Sequence, residues 1–420
     1  MEPMKVLRRW ALWLLAVGLG VALAGPPARA ASTPVDDPIF TQGLQWGMEQ
    51  INAPGAWGTA TGEGITIAVL DSGVDLTHED LRSKVTAEAN CVGSNGDPNR
   101  CRGSAQDDHG HGTHVAGIAL ASTNNGLGMA GVAPNAKLMA VRVLANRCQA
   151  TTPTCDASGT SADVSAGIRW ATDNGADIIN LSIGGGAEQA DLGCSFCEAI
   201  DYAWSKNVIV VLAAGNDSVL PESFASKPAV IVSATNRADT PASYSSTRQE
   251  FLRSARWAVA APGGEGDAPG PTDCSTGGNP QGIISTYWVP KESNRYACVA
   301  GTSMASAHTA GALAVLLSTD LTPQAAIDRL LATADDLGVP GRDDDYGVGR
   351  INLAAAVDPA VPGVADPGPA SSEEAVAFID TTTGARNLTT SEVGTILVIL
   401  LVTAGATALG ASQLVKRQHS

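Results

Sequence analysis

Short runs of apolar, mostly β-branched residues recur along the middle of the chain, and each has the length of a buried strand. Helix-like patterns separate some of them, such as SADVSAGIRWATDNG and CEAIDYAWSKN. Strands that alternate with helices predict an α/β fold, in which a parallel β-sheet is flanked by helices on both faces. Such sheets form their sites at the carboxyl ends of the strands. The runs are GITIAVLDSG (64–73), AKLMAVRVL (136–144), ADIINLSIGG (176–185), VIVVLAAGN (208–216) and AVIVSATN (229–236).

Apolar segments of another kind lie at the two ends of the chain. Basic residues precede an apolar run from Trp10 to Ala24, and ARA at 28–30 follows it, which is typical of an export signal cleaved after Ala30. Residues 393–411 carry no charge and would span roughly 28 Å as a helix, enough to cross a bilayer. The alternatives are a retained N-terminal anchor and a buried C-terminal helix.

These patterns predict a folded domain outside the membrane, tethered by its C-terminus. The basic pair KR after the apolar segment favours a cytoplasmic tail. Residues 263–282, rich in Gly and Pro, are interpreted as an insertion within the folded domain. The predicted parts are a signal peptide (1–30), a short extension (31–41), the main domain (42–357), a flexible linker (358–390), a transmembrane helix (391–412) and a cytoplasmic tail (413–420).

Charge and cysteine content narrow the possible binding partners and the cellular compartment of the protein. A formal net charge of −16 argues against a nucleic-acid partner, because such a partner requires a basic face. The cysteines suit an oxidising compartment, where disulfides between sequence neighbours are favoured among the many possible pairings. CSFC could instead be a redox pair, although no thioredoxin-like context surrounds it. The favoured pairs are Cys91–Cys101, Cys148–Cys155, Cys194–Cys197 and Cys274–Cys298.

The stretch DDHGHGTHVAGIA contains three histidines, His109, His111 and His114. Imidazole is a common metal ligand, so the three could form a metal cluster. They could equally be one proton-transferring residue and two bystanders. The stretch by itself does not distinguish these interpretations.

Three other motifs favour proton transfer. AVLDSGVD ends a strand with Asp71, VLAAGN ends another with Asn216, and GTSMASAH places Ser303 at the start of an apolar helix. A serine hydroxyl becomes nucleophilic when an imidazole takes its proton, and a buried carboxylate fixes the tautomer of that imidazole. An Asn amide and a backbone N–H at a helix start can stabilise the oxyanion that follows.

With these motifs the chain resembles the subtilisin family of serine endopeptidases, from about Gln42 to Val357. The metallo-hydrolase alternative, with its His-x-His-x-Asp-His motif, lacks that aspartate and leaves GTSMAS unexplained. The resemblance implies orientation of the base by Asp71, general-base catalysis by His111, nucleophilic attack by Ser303 and oxyanion stabilisation by Asn216. His114 and His308 are then expected to be structural, and His109 to be solvated.

The same resemblance implies two binding sites. INLSIGGG matches the substrate strand of the family, which pairs with a peptide backbone, and the contacts would come from Ser182, Ile183, Gly184 and Gly185. STNNGLGMAGVAP matches a loop that holds structural Ca²⁺, an ion that takes six to eight oxygens. A buried strand with a glycine turn and an ordinary Asn-Gly turn are the alternatives. The implied calcium ligands are Gln42, Asp80, Thr123, Asn125, Leu127 and Met129, and no catalytic metal is implied.

Two features depart from the family pattern. Ala307 stands where the nucleophile motif usually continues with Pro, which we expect to alter local shape only. Residues 31–41 are too few for the folding prodomain of secreted relatives, and this layout is similar to that of membrane-anchored mycosins. The expected function is a serine endopeptidase for peptide or protein substrates, held at the cell membrane by its bilayer-spanning helix with the catalytic domain outside the cytoplasm. The alternative is a catalytically latent scaffold with the same fold.

Overall fold

A parallel β-sheet forms the centre of the fold. The strands of the described residues are β1 (Thr66–Asp71), β2 (Val85–Asn90), β3 (Lys137–Arg142), β4 (Ala145–Cys148), β5 (Cys155–Ser158), β6 (Ile178–Leu181), β7 (Ile209–Ala213), β8 (Ala229–Thr235), β9 (Trp257–Pro262), β10 (Ile283–Val289) and β11 (Glu292–Val299). Seven of them form one sheet in the order β2-β3-β1-β6-β7-β8-β9, with every neighbouring pair parallel. Strands β4 and β5 pair with each other as an antiparallel hairpin, and so do β10 and β11.

The helices connect and cover these strands. They are α1 (Pro38–Thr41), α2 (Trp46–Gln50), α3 (Ala53–Ala56), α4 (His111–Leu120), α5 (Ser161–Asp173), α6 (Cys197–Ser205), α7 (Phe251–Ser254), α8 (Thr302–Leu317), α9 (Pro323–Ala332) and α10 (Leu353–Val357). Short 3₁₀ turns lie at Pro98–Arg100 and Glu222–Phe224.

The computed structural model describes residues 35–148, 155–183, 196–216, 222–246, 251–266 and 281–361. The chain divides into two compact units, residues 1–366 and 367–420, and every described residue belongs to the first. Across these described ranges, no helix has the length and apolar character needed to cross a bilayer. The predicted signal peptide and transmembrane helix lie outside the described residues.

Two apolar cores lie on opposite faces of the sheet, because successive side chains of a strand point to opposite sides. In β1, Ile67 and Val69 belong to one core, whereas Ala68 and Leu70 belong to the other. Helices α4 and α8 supply the first core, and α5 and α6 supply the second. The predicted α/β fold, a parallel sheet with helices on both faces, is therefore confirmed.

The burial of each strand follows its position in the sheet. The interior strand β7 is buried at every residue, as expected of a parallel strand covered on both faces. Edge strand β2 alternates between partly buried and exposed residues over its first four positions and has one fully buried residue, Ala89. The other edge, β9, is fully buried because residues 348–351 hydrogen-bond along it, for example from Val348 N to Ala258 O at 3.0 Å.

Disulfides brace the loops around the sheet. Cys91 and Cys101 are bridged, and the backbones of Cys148 and Cys155 are partners in the register of the β4–β5 hairpin. Cys197 and Cys298 are also disulfide-bonded. Their predicted partners, Cys194 and Cys274, lie outside the described residues.

Candidate active site

A carboxylate and an imidazole meet at the carboxyl end of the sheet. Asp71 is the last residue of β1 and is fully buried, and His111 is the first residue of α4. His111 Nδ1 donates to Asp71 Oδ1 at 2.8 Å. A Cβ on Gly112 would lie 2.1 Å from the carbonyl oxygen of Gly73, so only glycine lets α4 begin this close to the loop after β1.

The pKa of His111 is raised above its ordinary value. Burial by itself lowers this pKa, but the charge and the hydrogen bond of the Asp71 carboxylate outweigh it, and the charge of Asp107 adds to the rise. An imidazole in this environment is a stronger proton acceptor than a solvated one. The hydrogen bond at Nδ1 also fixes the tautomer, which leaves Nε2 as the accepting nitrogen.

Ser303 and His111 line the same cleft. The cleft has a volume of about 350 Å³. Ser303 is the second residue of α8, and its Oγ donates to the carbonyl oxygen of Ser182 at 3.3 Å. Its backbone N–H belongs to the first turn of α8 and so has no partner within the helix. The positive end of the helix dipole reinforces that donor.

Asn216 follows β7, and its amide orientation is set by its neighbours. Its Oδ1 accepts hydrogen bonds from Thr302 N at 3.0 Å and from Thr302 Oγ1 at 2.9 Å. With the oxygen engaged in this way, the Nδ2 donors are directed elsewhere. Nδ2 lies 3.2 Å from the position that a Cβ on Gly301 would take, beside the start of α8. A preset amide next to the Ser303 N–H can stabilise an oxyanion.

The histidines near this cleft have separate environments. His114 is buried on the far side of α4, where its Nε2 donates to Ile283 O and Ala297 O, and burial lowers its pKa to about 3. His109 is half-buried and lines the cleft, with its ring centroid 6.4 Å from that of His111. In the described part of the chain, no group of three or more His, Cys, Asp or Glu residues could hold a metal ion.

The predicted substrate strand borders the cleft after β6. Ile183 lines the cleft wall. Ser182 Oγ is occupied by α8, because it donates to Ser303 O at 3.0 Å and lies 2.9 Å from Ser306 Oγ. Contacts from Ser182 to a peptide would therefore come from its backbone. The other two predicted contacts, Gly184 and Gly185, lie outside the described residues.

Part of the cleft wall was not predicted. It comes from Leu144, directly before β4, from the segment 156–159 at the end of the β4–β5 hairpin, and from Ser161 and Val164 at the start of α5. The close spacing of Cys148 and Cys155 was a signal for this hairpin, although it did not reveal where the hairpin packs. Ser72 and Asp107, which are buried beside the Asp71–His111 pair, were not predicted either.

The predicted calcium loop is built around two buried carboxylates. Asp37 accepts hydrogen bonds from Asn124 N at 2.9 Å and Asn125 N at 3.2 Å. Asp80 accepts from Asn125 Nδ2 at 2.9 Å, Met129 N at 3.1 Å and Tyr296 Oη at 2.8 Å. Burial raises the pKa of both carboxyls, and the charge of Asp80 adds to the rise at Asp37.

Gln42, another predicted ligand, lies exposed at the C-terminal end of α1. Asp37, the residue before α1, was not among the predicted ligands, although its carboxylate accepts hydrogen bonds from the loop. Thr123, Leu127 and Met129 do lie on the loop, and Leu127 is one of its exposed residues.

The fold and this site define a class of protein. Asp71 ends β1, whereas Ser182 and Asn216 follow the ends of the neighbouring parallel strands β6 and β7. Ser182 and Asn216 both contact the start of α8, where Ser303 lies in one cleft with His111. A buried carboxylate on an imidazole, a helix-start serine in the same cleft and a preset amide are the parts of a serine hydrolase that acts through a triad.

Comparison with known proteins identifies the family. The model described as "Peptidase_S8: Subtilase family" matches residues 62–349. Thermitase of Thermoactinomyces vulgaris is 35% identical over 324 residues, covering 77% of this chain and 98% of thermitase. Subtilisin E of Bacillus subtilis (strain 168) is 35% identical over 326 residues, covering 76% of this chain and 72% of that protein. The chain belongs to the subtilase family and is a serine endopeptidase.

Solved structures agree with this assignment. A protease from Pseudoalteromonas arctica PAMC 21717 superposes with a TM-score of 0.61 at 31% identity, covering 77% of this chain and 99% of the other. Fervidolysin from Fervidobacterium pennivorans, a keratinolytic enzyme related to subtilisin, gives a TM-score of 0.59 at 29% identity, covering 78% of this chain and 47% of the other.

Proposed function

We propose that the protein hydrolyses peptide bonds through an acyl-enzyme formed on Ser303, with Asp71, His111 and Asn216 in the roles that the subtilase family implies. The observation that carries this proposal is the 2.8 Å hydrogen bond between His111 and Asp71 in a cleft that also contains Ser303. A latent scaffold would need none of these contacts.

The reaction begins when His111 Nε2 takes the proton of Ser303 Oγ as that oxygen attacks the scissile carbonyl carbon. Asn216 Nδ2 and the Ser303 N–H stabilise the oxyanion of the tetrahedral intermediate. His111 then gives its proton to the leaving amine, which releases the first product and leaves an ester on Ser303. Water activated by His111 cleaves this ester. Asp71 stabilises the imidazolium in both halves without itself taking the proton.

The substrate is an extended peptide that pairs with the backbone at 182–183, a mode that tolerates many side-chain sequences. The buried residues Leu144, Val164 and Phe196 line the cleft, together with Ile183. These apolar residues would contact an apolar substrate side chain.

A fluorophosphonate probe tests this function, because it labels only a serine activated by its base. We expect the full-length protein to be labelled, and Ser303→Ala and His111→Ala to remain unlabelled while retaining the circular dichroism of the parent. A folded parent that resists labelling would instead favour the scaffold. Mass spectrometry of the labelled peptide identifies the modified residue.

We also infer a structural calcium ion at the loop that joins Asp37, Asp80 and Asn125, since subtilases generally bind structural calcium. Both carboxylates are completely buried, and within the described residues neither lies within ion-pair distance of a lysine or arginine. A bound cation would offset the cost of that burial. These two side chains, the Asn125 amide and loop carbonyls could supply its oxygen ligands.

Thermal unfolding with and without a chelator tests the calcium inference. A ligand that binds only the folded state stabilises it by RT ln(1 + c/Kd), where c is the free ligand concentration, and so raises the melting temperature as c increases. We expect EGTA to lower the melting temperature, added Ca²⁺ to restore it, and Asp80→Asn to abolish the response. Equal melting temperatures with and without the chelator would contradict the inference.

We further propose that the protein is tethered to a membrane through residues 391–412, with the peptidase outside the cytoplasm. The support is the uncharged segment 393–411 and the basic pair that follows it. Flotation of the full-length protein with liposomes should depend on this segment. A variant that ends at residue 390 should stay at the bottom of the gradient, and co-flotation of both forms would contradict the tether.

A further inference from the structure

Asp107 lies behind the catalytic pair, almost completely buried at 1% exposure, and its two carboxylate oxygens face different partners. Oδ1 accepts from His109 N at 2.9 Å and from Gly110 N at 3.0 Å, in the loop that leads into α4. Oδ2 accepts from Thr113 N at 3.0 Å and Thr113 Oγ1 at 2.5 Å, in the first turn of α4. One carboxylate therefore connects the residues before and after His111.

Ser72, the residue after Asp71, connects this carboxylate to that of Asp71. Its buried Oγ donates to Asp107 Oδ1 at 2.9 Å and accepts from Gly112 N at 3.1 Å. Its backbone N–H donates to Asp71 Oδ1 at 2.7 Å, the same oxygen that His111 binds. Both members of the catalytic pair are thus held by one continuous network of hydrogen bonds.

Backbone pairing holds Asp107 itself in place. Its N–H donates to Val74 O at 3.0 Å, and Val74 N donates to Ala105 O at 2.9 Å, so the segment before the histidine lies alongside the loop after β1. A Cβ on Gly73 would lie 2.5 Å from Ala105 O, which requires glycine there at a φ of +117°. The position of Asp107 is therefore set by the backbone as well as by its side-chain partners.

We propose that Asp107 and Ser72 are positioning residues for catalysis, which hold the imidazole of His111 against Asp71 and, through the charge of Asp107, support its protonation during the reaction. This inference rests on the proposed function of His111 as general base. Neither residue touches the substrate or the reacting atoms, and each acts through His111.

The charge of Asp107 gives the proposal a readout that a purely structural role would lack. Burial has the largest effect on the pKa of His111 and lowers it. The Asp71 carboxylate raises this pKa, and the charge of Asp107 adds a smaller rise. His114 on the same helix does not add a charge, because its pKa lies near 3. The titratable groups that face His111 are Asp71 from β1, Asp107 and His109 from the preceding loop, His114 from α4 and Asp156 from the cleft wall.

The test compares two variants of the full-length protein with two matched controls. Asp107→Asn removes the charge and one acceptor, and Ser72→Ala removes the hydroxyl link without changing any charge. Asp343→Asn is the control for the first, because Asp343 is 5% exposed and accepts backbone N–H groups in another loop. Ser233→Ala is the control for the second, because its buried Oγ donates to Asp345 O at 2.8 Å.

The measurements are kcat and kcat/KM of peptide hydrolysis across pH, normalised to the fraction of Ser303 labelled by a fluorophosphonate. We expect kcat of Asp107→Asn to fall roughly ten- to a hundredfold with little change in KM, since small displacements of a catalytic group carry losses of that order. The acidic limb of its profile should move to lower pH. Ser72→Ala should lose kcat in the same way while its acidic limb stays in place.

Each outcome decides between the alternatives. Variants that match Asp343→Asn and Ser233→Ala in kcat and in acidic limb would show that Asp107 and Ser72 serve only the fold, and the proposal would be wrong. If Asp107→Asn does not fold, an unchanged kcat in Ser72→Ala overturns it just as well. An unlabelled parent protein would refute the proposed function instead, before the network is tested.

Discussion

Removing the Asn216 amide is the sharpest test of the oxyanion site. Asn216→Ala deletes one of two donors, and the N–H of Ser303 remains. Loss of one such donor costs about 2.7–4 kcal/mol, or about 10²–10³ in kcat, a magnitude measured for the corresponding asparagine of subtilisin, a member of this family. Because the oxyanion forms only as the reaction proceeds, the loss should appear in kcat and leave KM almost unchanged.

Thr302→Val adds a smaller perturbation that only this geometry predicts. Thr302 Oγ1 donates to Asn216 Oδ1 at 2.9 Å and accepts from Gly215 N at 3.2 Å, while Thr302 N separately holds the same Oδ1. Valine keeps the shape and the backbone contact but loses the hydroxyl. A net hydrogen bond is worth about 1 kcal/mol, so we expect kcat to fall about fivefold.

The assay is steady-state hydrolysis of a chromogenic peptide at the pH plateau, normalised by active-site titration. The loss of kcat should be larger in Asn216→Ala than in Thr302→Val. The double variant should lose little more kcat than Asn216→Ala, because Thr302 Oγ1 acts through the amide. A fully active Asn216→Ala would refute the oxyanion assignment. A loss confined to KM would show that Asn216 binds the ground state instead.

Three further predictions follow from other parts of the structure. The acidic limb of kcat/KM should have its midpoint above pH 6.5, because the raised pKa of His111 makes the imidazole lose its proton at a higher pH, and a pH–rate profile measures it. The free energy of unfolding should include a component that falls as pH drops from 6.5 towards 3. In this range His114 binds a proton in the unfolded protein, whereas in the folded protein its lowered pKa of about 3 keeps it neutral. Urea unfolding should therefore show a shallower dependence in His114→Gln, and identical slopes would disprove this. Replacing Cys91 and Cys101 together by Ala opens a loop with a sequence separation of 10 and should destabilise the fold by about 2–3 kcal/mol, measured by the same unfolding with unchanged kcat as the control.

The buried strands were predictable because burial on both faces leaves a continuous apolar run. The runs at 64–73 and 208–216 contain the whole of β1 and β7. Edge strand β2 was not predicted, because VTAEAN mixes polar and apolar residues and its pairing depends on β3, which lies far away in sequence. Strand β9 was not predicted either. It is an edge strand that residues 348–351 cover, and these residues come from the far end of the domain.

The candidate site was predictable as a set of motifs but not as a network. Asp71, His111 and Ser303 carry side chains whose chemistry is visible in the sequence, and their motifs are long enough to be specific. Asp107 stands in the quoted histidine stretch, yet nothing in that stretch indicates that it is buried against Ser72. Asp37 at the predicted calcium loop was not predicted for the same reason, because its hydrogen bonds to Asn124 and Asn125 join segments that lie far apart in sequence.

What the sequence by itself determined is local: which segments are apolar enough to be buried, which residues end those segments, and which reactive side chains the chain possesses. Tertiary structure alone decided which of them meet, since hydrogen bonds such as that between His111 and Asp71 join residues 40 positions apart. The physical reason is that hydrophobic burial has no direction and can be read from composition and period. Hydrogen bonds between side chains need defined distances and angles, and only the packed sheet and helices provide them.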